Sequence, residues 1–408
     1  MQLLRVVVIG GGAAGFFGAV ACAKSHPHTQ VTLLEASRQP LAKVRVSGGG
    51  RCNVTHACFD PMGLVQNYPR GEKALRGAFS RFQATDTVNW FASQGVTLKT
   101  EPDGRMFPIT DNSETIIECL TKAAHFAGVE IRTGITVISV VKQATGFEIE
   151  LKTGEKLKCD RILLATGSNP LGYQIAQKLG HTIESPVPSL FTFNIIDQQL
   201  KQLAGISANP VKLKLSIDRK TLEQTAPLLI THWGLSGPAV LKLSAWGARI
   251  LHDCKYQATL LVNWLPQHSS EELRSQLLQV KLAHPKKAIA LHRGIDLPHR
   301  LWQYIVARTG IGLEDRWAEL SNKNLNQLIQ ELNQGAYQIT GKGAFKEEFV
   351  TCGGVNLKQV NFKTMASRLI PGLHFAGEVL DIDGVTGGFN FQSAWTTAWI
   401  AGQSIGSN

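Results

Sequence analysis

Carboxylates, paired cysteines and long uncharged stretches are all scarce in this chain of 408 residues, and each scarcity excludes a class of protein. Lys and Arg number 42 against 31 Asp and Glu, for a net charge of +11. That balance disfavours a basic partner and favours an acidic one: nucleic acid, anionic lipid or a phosphorylated substrate. The seven cysteines, at 22, 52, 58, 119, 159, 254 and 352, are odd in number and never form a C-x-x-C pair. This argues against a disulfide scaffold, a structural zinc site and a dithiol reductase, so no metal is expected and a reducing, cytoplasmic compartment is. Residues 6–23 carry no charge, but five glycines fall among them and only Arg5 precedes them, unlike a secretory signal. No other segment approaches the roughly 20 apolar residues that span a bilayer. A soluble protein with no membrane partner is expected. Internal repeats and low-complexity tracts are also missing. Hydrophobic residues at 43% and charged residues at 18% leave little room for long disorder.

The length implies two or three structural units. Residues 5–9 are β-branched and continuous and read as a buried parallel strand. A glycine-rich turn at 10–15 leads into a helix ending near Lys24, and a second strand spans 30–35. Residues 38–70 look loop-like, rich in Gly, Arg and Asn. Helical periodicity returns at 85–94 and 112–127. Residues 137–141, 147–151 and 156–159 alternate like a meander, and a strand follows at 161–165. Short β-type runs fill 191–265, and 270–334 is helical with a Leu-rich pattern. From Phe345 the chain returns to Gly-rich loops, a strand at 373–376 and a final helix from about Phe391. The expected domains are 1–188, an inserted β-barrel at 189–268 with 335–345, a helical subdomain at 269–334, and a return at 346–408.

Four constellations carry chemistry. Gly10-x-Gly12-x-x-Gly15 joins strand to helix: Gly10 permits the turn, Gly12 admits a pyrophosphate, and Gly15 lets helix and strand pack closely. Glu35 ends the second strand, where a carboxylate accepts ribose hydroxyls and repels a 2′-phosphate; this suits FAD or NAD and not NADP. The strand 162–165 ends in Ala-Thr-Gly beside the same dinucleotide. The segment Gly372 to Glu378, followed by Asp381, Asp383 and Gly387-Gly388-Phe389-Asn390, is a second strand, acidic glycine loop and helix. The three pieces together indicate FAD. Ser47-Gly48-Gly49-Gly50-Arg51-Cys52-Asn53, with Lys43 and Arg45 upstream, offers donors to flavin or substrate; a plain surface loop is the alternative. In residues 231–244, Ser236 reads as a helix N-cap ahead of Pro238. His232 beside Trp233 is either a substrate contact or a packed junction. Cys52 and Cys352 are candidate proton donors, with inert burial as the alternative.

The chain resembles the BaiN/YhiN-type flavoproteins, whose members include aminoacetone oxidase-like proteins. The matching stretches are GGGAAG at 10–15, KVRVSGGGRCNVT at 43–55, THWGLSGPAVLKLS at 231–244, TCGGV at 351–355 and PGLHFAGEVLDIDGVTGGFNFQSAW at 371–395. The resemblance implies an α/β fold: a two-dinucleotide-type Rossmann FAD-binding domain with an inserted β-barrel and a helical subdomain. The FAD site is then discontinuous in sequence. The expected contacts are Gly10, Gly12, Ala13, Ala14, Gly15, Glu35, Ala36, Lys43, Ser47, Gly48, Asn53 and Val137 in the first half. In the second they are Ala165, Thr166, Gly167, Gly377, Glu378, Asp383, Gly387, Gly388, Phe389 and Asn390, with Arg51, Cys52 and Cys352 as catalytic candidates. Relatives carry a longer glycine-rich loop after ATGG. Here Ser168 stands in place of the second glycine and several residues are missing, which bears on substrate range.

There is no second strand–GxGxxG–helix unit, so NAD(P)H binds transiently, or another reductant or oxygen serves. The favoured expectation is reduction of a C=C bond by hydride transfer from reduced FAD, with uridine in ribosomal RNA as substrate and structured RNA as partner. The alternatives are a small-molecule NAD(P)H-dependent reductase, an aminoacetone-type amine oxidase, and an RNA-binding flavoprotein without turnover. Two basic clusters favour RNA. One holds Arg38, Lys43, Arg45 and Arg51; the other holds Lys281, Lys286, Lys287, Arg293 and Arg300, with His284, His292 and His299, against Asp296 alone.

Overall fold

Four consecutive β-branched residues, Val6 to Ile9, all buried, form the heart of strand β1 (Leu4–Ile9). β-branched side chains crowd a helix and suit a strand covered on both faces. Helix α1 (Ala13–Ser25) follows, then strand β2 (Thr29–Glu35), parallel to β1. Helix α2 (Ala42–Gly50) succeeds them. Strands β3 (Glu130–Thr133) and β4 (Arg161–Leu164) pair parallel with β2 and β1 in turn. After the insert come β5 (Val350–Val355), β6 (Leu373–Phe375), which pairs parallel with β4, and helix α3 (Phe389–Ile405). The sheet order is β6-β4-β1-β2-β3, extended beyond β6 by two short strands. Val137–Lys142, Phe147–Leu151 and Lys156–Cys159 form the expected antiparallel meander. α1 and α3 touch through small residues: a Cβ on Gly402 would lie 2.6 Å from that of Ala21.

The computed structural model describes residues 3–343 and 350–407. The chain divides into two compact units, Met1–Val187 with Phe349–Asn408, and Pro188–Glu348. The expected return boundary at 346 lies outside the described residues. Among those residues, no helix is long and apolar enough to cross a membrane.

The second unit holds a closed six-stranded barrel. Its strands run in the order Phe193–Ile195, Gly234–Ser236, Lys220–Thr231, Ser207–Ile217, Ala258–Asn263 and Gly335–Lys342. Two of them are 12 and 11 residues long, where short runs were expected. Helices Ser270–Ala283, His299–Arg308 and Asn322–Gln334 occupy the Leu-rich segment. The last buries Leu325, Leu328, Ile329 and Leu332, one stripe of a 3.6-residue period. Barrel residues Leu213, Leu260 and Tyr337 and helical residues Leu273, Trp302 and Leu328 belong to one apolar core. Barrel and helices are therefore a single packed body.

Three local expectations are corrected. Residues 38–70 contain helices α2 and Pro61–Val65. The first was hidden because its apolar periodicity is weak and its last turn breaks at Ser47, Gly48 and Gly49. TCGGV is not a loop but the fully buried β5. A Cβ on Gly353 would stand 2.6 Å from Ser185 O, and one on Gly354 2.6 Å from Val379 O. Both glycines are needed because backbone approaches from two sides. Finally, the cap of helix Pro238–Trp246 is Gly237, not Ser236, whose hydroxyl lies 2.9 Å from that of Thr192.

Candidate functional site

The chain turns from β1 into α1 on glycines that have no room for a side chain. A Cβ on Gly10 would lie 2.4 Å from Ala165 O, and one on Gly15 1.8 Å from Gly10 O. Gly12 is the opposite case, with nothing within 4 Å of where its Cβ would be. Gly12 is also the N-cap, with no capping side chain and no acid in the first turn. The first helical bond runs from Phe16 N to Gly12 O, so the amides of Ala13, Ala14 and Gly15 lead out of the helix end. An open, donor-lined helix N-terminus is a binding place for a diphosphate.

Glu35 stands at one side of this end. Its Oε2 accepts from Gly11 N at 2.6 Å and its Oε1 from Ser37 N at 2.7 Å. Each oxygen keeps a lone pair for a further donor such as a ribose hydroxyl. Ala36 is exposed beside it. Ile135 N donates to Glu35 O at 2.8 Å, which brings the approach to buried Val137 to the same corner.

The other side is closed by segments far apart in sequence. Lys43 Nζ donates to Glu378 Oε2 at 2.6 Å and to Ser168 Oγ at 3.0 Å. Glu378 Oε1 accepts from Thr351 N at 2.9 Å. A Cβ on Gly377 would lie 2.8 Å from that of Ala14, so this loop rests on the first turn of α1. Gly167 adjoins the same carboxylate, 3.7 Å from its Cβ position. Ser168 is thus a hydrogen-bond partner of Lys43. Thr166 turns its hydroxyl onto Gly172, leaving only its backbone toward Gly10.

A second glycine-capped helix end lies nearby in the chain's path. The Asn53 amide accepts from Gly388 N and donates to Thr55 O, both at 3.0 Å. Gly388, the N-cap of α3, has φ 92° and crowds Thr55 O, and Gly387 has φ 132° and crowds the Phe389 ring. Phe389 stacks on His56 with centroids 4.7 Å apart. Two expected cofactor contacts have internal partners. The fully buried Asp383 carboxylate pairs with Arg70. Asn390 clips Gly384 N and O at 2.8 and 2.9 Å. Both hold the loop.

The candidates in the 47–53 segment are similarly engaged. Ser47 Oγ donates to Val44 O at 2.9 Å, and a Cβ on Gly48 would lie 2.8 Å from the Phe107 ring. Arg51 bonds Glu101 at 2.6 Å and stands 4.0 Å over the Phe107 ring. Cys52 is fully buried, and burial pushes its thiol up to about 12. Cys352 is fully buried on β5, next to the Thr351 amide that Glu378 holds.

Sequence reasoning missed the brace beneath α3. Gln392 is fully buried, its Oε1 accepting from Thr55 Oγ1 at 2.6 Å and Thr87 Oγ1 at 2.9 Å, its Nε2 donating to Thr396 Oγ1 at 3.1 Å. Arg70 was missed as well. Nothing in the local pattern of either residue announces a buried partner more than 300 positions away.

Comparison with known proteins agrees with this geometry. Residues 4–404 match the family model described as HI0933-like protein Rossmann domain. The chain is 29% identical over 413 residues to the ribosomal RNA dihydrouridine synthase of Escherichia coli (strain K12), covering 99% of this chain and 98% of that one. The enzyme of that name from Haemophilus influenzae is 30% identical over 419 residues, covering 99% of both chains. A 3-dehydro-bile acid delta(4,6)-reductase of Clostridium scindens is 29% identical over 409 residues, covering 98% of each. Among solved structures, a 3-ketosteroid-delta4-(5alpha)-dehydrogenase from Rhodococcus jostii RHA1 aligns with a TM-score of 0.52 at 15% identity, covering 100% of this chain and 98% of that one. That likeness is one of fold.

Proposed function

The chain belongs to the HI0933-like Rossmann-domain family of FAD-dependent oxidoreductases, and on that premise we propose that it reduces the C5=C6 bond of a uridine in ribosomal RNA. One observation carries the cofactor part. The open end of α1 at Gly12, with Glu35 on one side and Gly377 and Glu378 on the other, has the shape and donors for the diphosphate and ribose of FAD. Bound FAD in its two-electron-reduced form supplies a hydride; the second uracil carbon takes a proton. A nicotinamide dinucleotide that visits and leaves is the reductant we propose, since the chain offers one dinucleotide motif. Reading the flavin as purely structural is set aside by the family's chemistry.

The protein's own part is to bind, orient and exclude water. Gly10 makes the turn, Gly12 and the first-turn amides take the diphosphate, and Glu35 takes the ribose. Lys43, held between Glu378 and Ser168, sets the position of the C-terminal loop. Of the two thiols considered for the proton, Cys52 is held protonated by its burial; Cys352, also fully buried, borders the Thr351 amide that Glu378 holds and is the thiol we would replace first. Support for the RNA substrate comes from two relatives of that name and from the exposed cations of 286–300. The bile-acid reductase relative supports a second reading, reduction of a small-molecule enone.

The deciding experiment is mass spectrometry of dihydrouridine in ribosomal RNA from cells with and without this protein. Loss of a dihydrouridine on deletion, restored by the wild-type gene, is the expected result. Unchanged ribosomal RNA, together with turnover of an enone by the purified protein, gives the second reading the place of the first.

A further inference from the structure

Among the described residues of the second unit, Trp233 is the most exposed large aromatic side chain, in a place where the fold has no use for it. Trp233 is 61% exposed and Ile196 75% exposed. Trp264, Trp302, Trp317 and Trp395, by contrast, are among the most deeply buried side chains of the chain. Tryptophan is seldom left so open without a partner. The tip is also stiff. Thr231 Oγ1 accepts from both Trp233 N and Gly234 N at 3.3 Å, and Ile195 N donates to Trp233 O at 3.1 Å. Gly234, at φ 147°, has Phe193 O 2.4 Å from its Cβ position. The two-residue turn His232-Trp233 therefore presents its ring from a fixed base, and little conformational freedom is lost when a flat ligand stacks on it.

This tip is joined through residues 195–202 to a run of exposed cations. Asp197, next after Ile196, caps the short helix Gln198–Lys201 and accepts from Tyr304 Oη at 2.7 Å. Its charge is met by Arg308 at 3.3 Å. Gln202 O, one residue past that helix, accepts from Arg300 at 2.6 Å. His299 bonds Leu291 O at 3.3 Å, and Arg293 bonds Leu297 O. Arg293 and Arg300 are exposed and donate to backbone carbonyls, which do not neutralise them. A guanidinium has five donors, so most remain for other acceptors. An exposed aromatic joined through residues 195–202 to exposed cations offers a partner to each half of a single-stranded nucleic acid: flat bases and anionic phosphates.

We propose that this face binds unpaired RNA, with Trp233 stacking on a nucleobase and Arg300 and Arg293 contacting phosphates. The inference rests on the uridine reading above, and it assigns a residue to reading the bases as distinct from the backbone.

Stacking and phosphate contact respond differently to salt, which makes the test sharp. The probes are a fluorescent oligouridylate of about ten nucleotides and an abasic oligomer of the same length. Trp233→Ala should weaken oligouridylate binding by about five- to a hundredfold at every salt concentration, with the log–log salt slope unchanged. It should leave abasic binding as in wild type, and Trp233→Phe should restore most of the affinity. Arg293→Ala with Arg300→Ala should instead flatten the slope by up to about one and a half units for both probes. FAD content and the urea midpoint serve as fold controls. Wild-type affinity in Trp233→Ala, an equal loss on the abasic oligomer, or no oligouridylate binding by the wild type overturns the inference. If cellular dihydrouridine depends on the protein while Trp233→Ala binds normally, this inference fails and the uridine reading stands. If Trp233→Ala loses base-dependent binding while ribosomal RNA is unchanged by deletion, the face stands and the uridine reading fails.

Discussion

The two basic clusters look alike in sequence and are opposite in structure. In the first, Lys43 pairs with Glu378, Arg45 with Glu114, and Arg51 with Glu101 and Asp111. All four acids lie well outside the cluster, so its acid-free appearance is a property of the window and not of the surface. In the second, Lys281 donates to Leu320 O, Arg293 to Leu297 O and Arg300 to Gln202 O, while Lys286 and Lys287 are exposed. Carbonyls orient a cation without cancelling its charge. Arg38 aside, the first cluster is therefore paired within its own unit, and the exposed cations of the second keep their charge. A count of cations along the chain does not separate these two uses; their partners do.

Breaking a paired cation where burial is deepest should have the largest effect. Arg70→Met leaves the fully buried Asp383 carboxylate without its cation. The expected loss is about 3–5 kcal/mol of unfolding free energy in urea; a loss below about 1 kcal/mol would show that the loop relaxes around Asp383.

A cation created by acid in a buried place, beside another cation, should come next. His374 is buried, and burial with nearby Arg161 lowers its pKa from 6.5 to about 4. The unfolded chain then binds the proton more tightly than the folded one. Stability from this group is complete above about pH 6.5, falls as pH drops, and levels off below about 4. The expected decline is roughly 3 kcal/mol, and His374→Phe should flatten it. His181, whose pKa burial also lowers, adds in the same sense. An unaltered pH profile in His374→Phe counts against the assignment.

Removing the carboxylate beside the open helix end should act on ligand and spare the fold. Glu35→Ala is expected to cost roughly 1.5–3 kcal/mol of FAD binding, about tenfold to a hundredfold in affinity. Equilibrium dialysis reads it directly, and equal FAD affinity means that Glu35 serves only Gly11 and Ser37. The smallest effect on stability belongs to the second cluster. Replacing Lys286, Lys287, Arg293 and Arg300 with Ala should change unfolding by no more than about 0.5 kcal/mol per site. It should nonetheless flatten the salt slope of RNA binding by up to about three units. A slope that survives all four substitutions removes the contrast between the clusters.

Much of the fold was legible because it repeats at short range. The β-branched run at 6–9, the alternation at 137–159 and the Leu-rich stripe of Asn322–Gln334 each declare their element locally. The glycine spacing at 10–15 likewise marked the turn from β1 into α1. Less legible were TCGGV and residues 42–50. Glycines there answer to a neighbouring backbone, Ser185 and Val379 in the first case, and no local pattern encodes that neighbour.

By itself, then, the sequence determined that β1, the glycine turn and α1 form a dinucleotide cradle, because hydrophobic period and steric permission act over a few residues. Tertiary structure alone decided which charges close that cradle and which remain outside. Lys43 meets Glu378 across 335 positions, and Arg70 meets Asp383 across 313. Such pairings are settled by which buried charge finds a cation when the sheet closes, since an unpartnered carboxylate in a dry interior is too costly to keep.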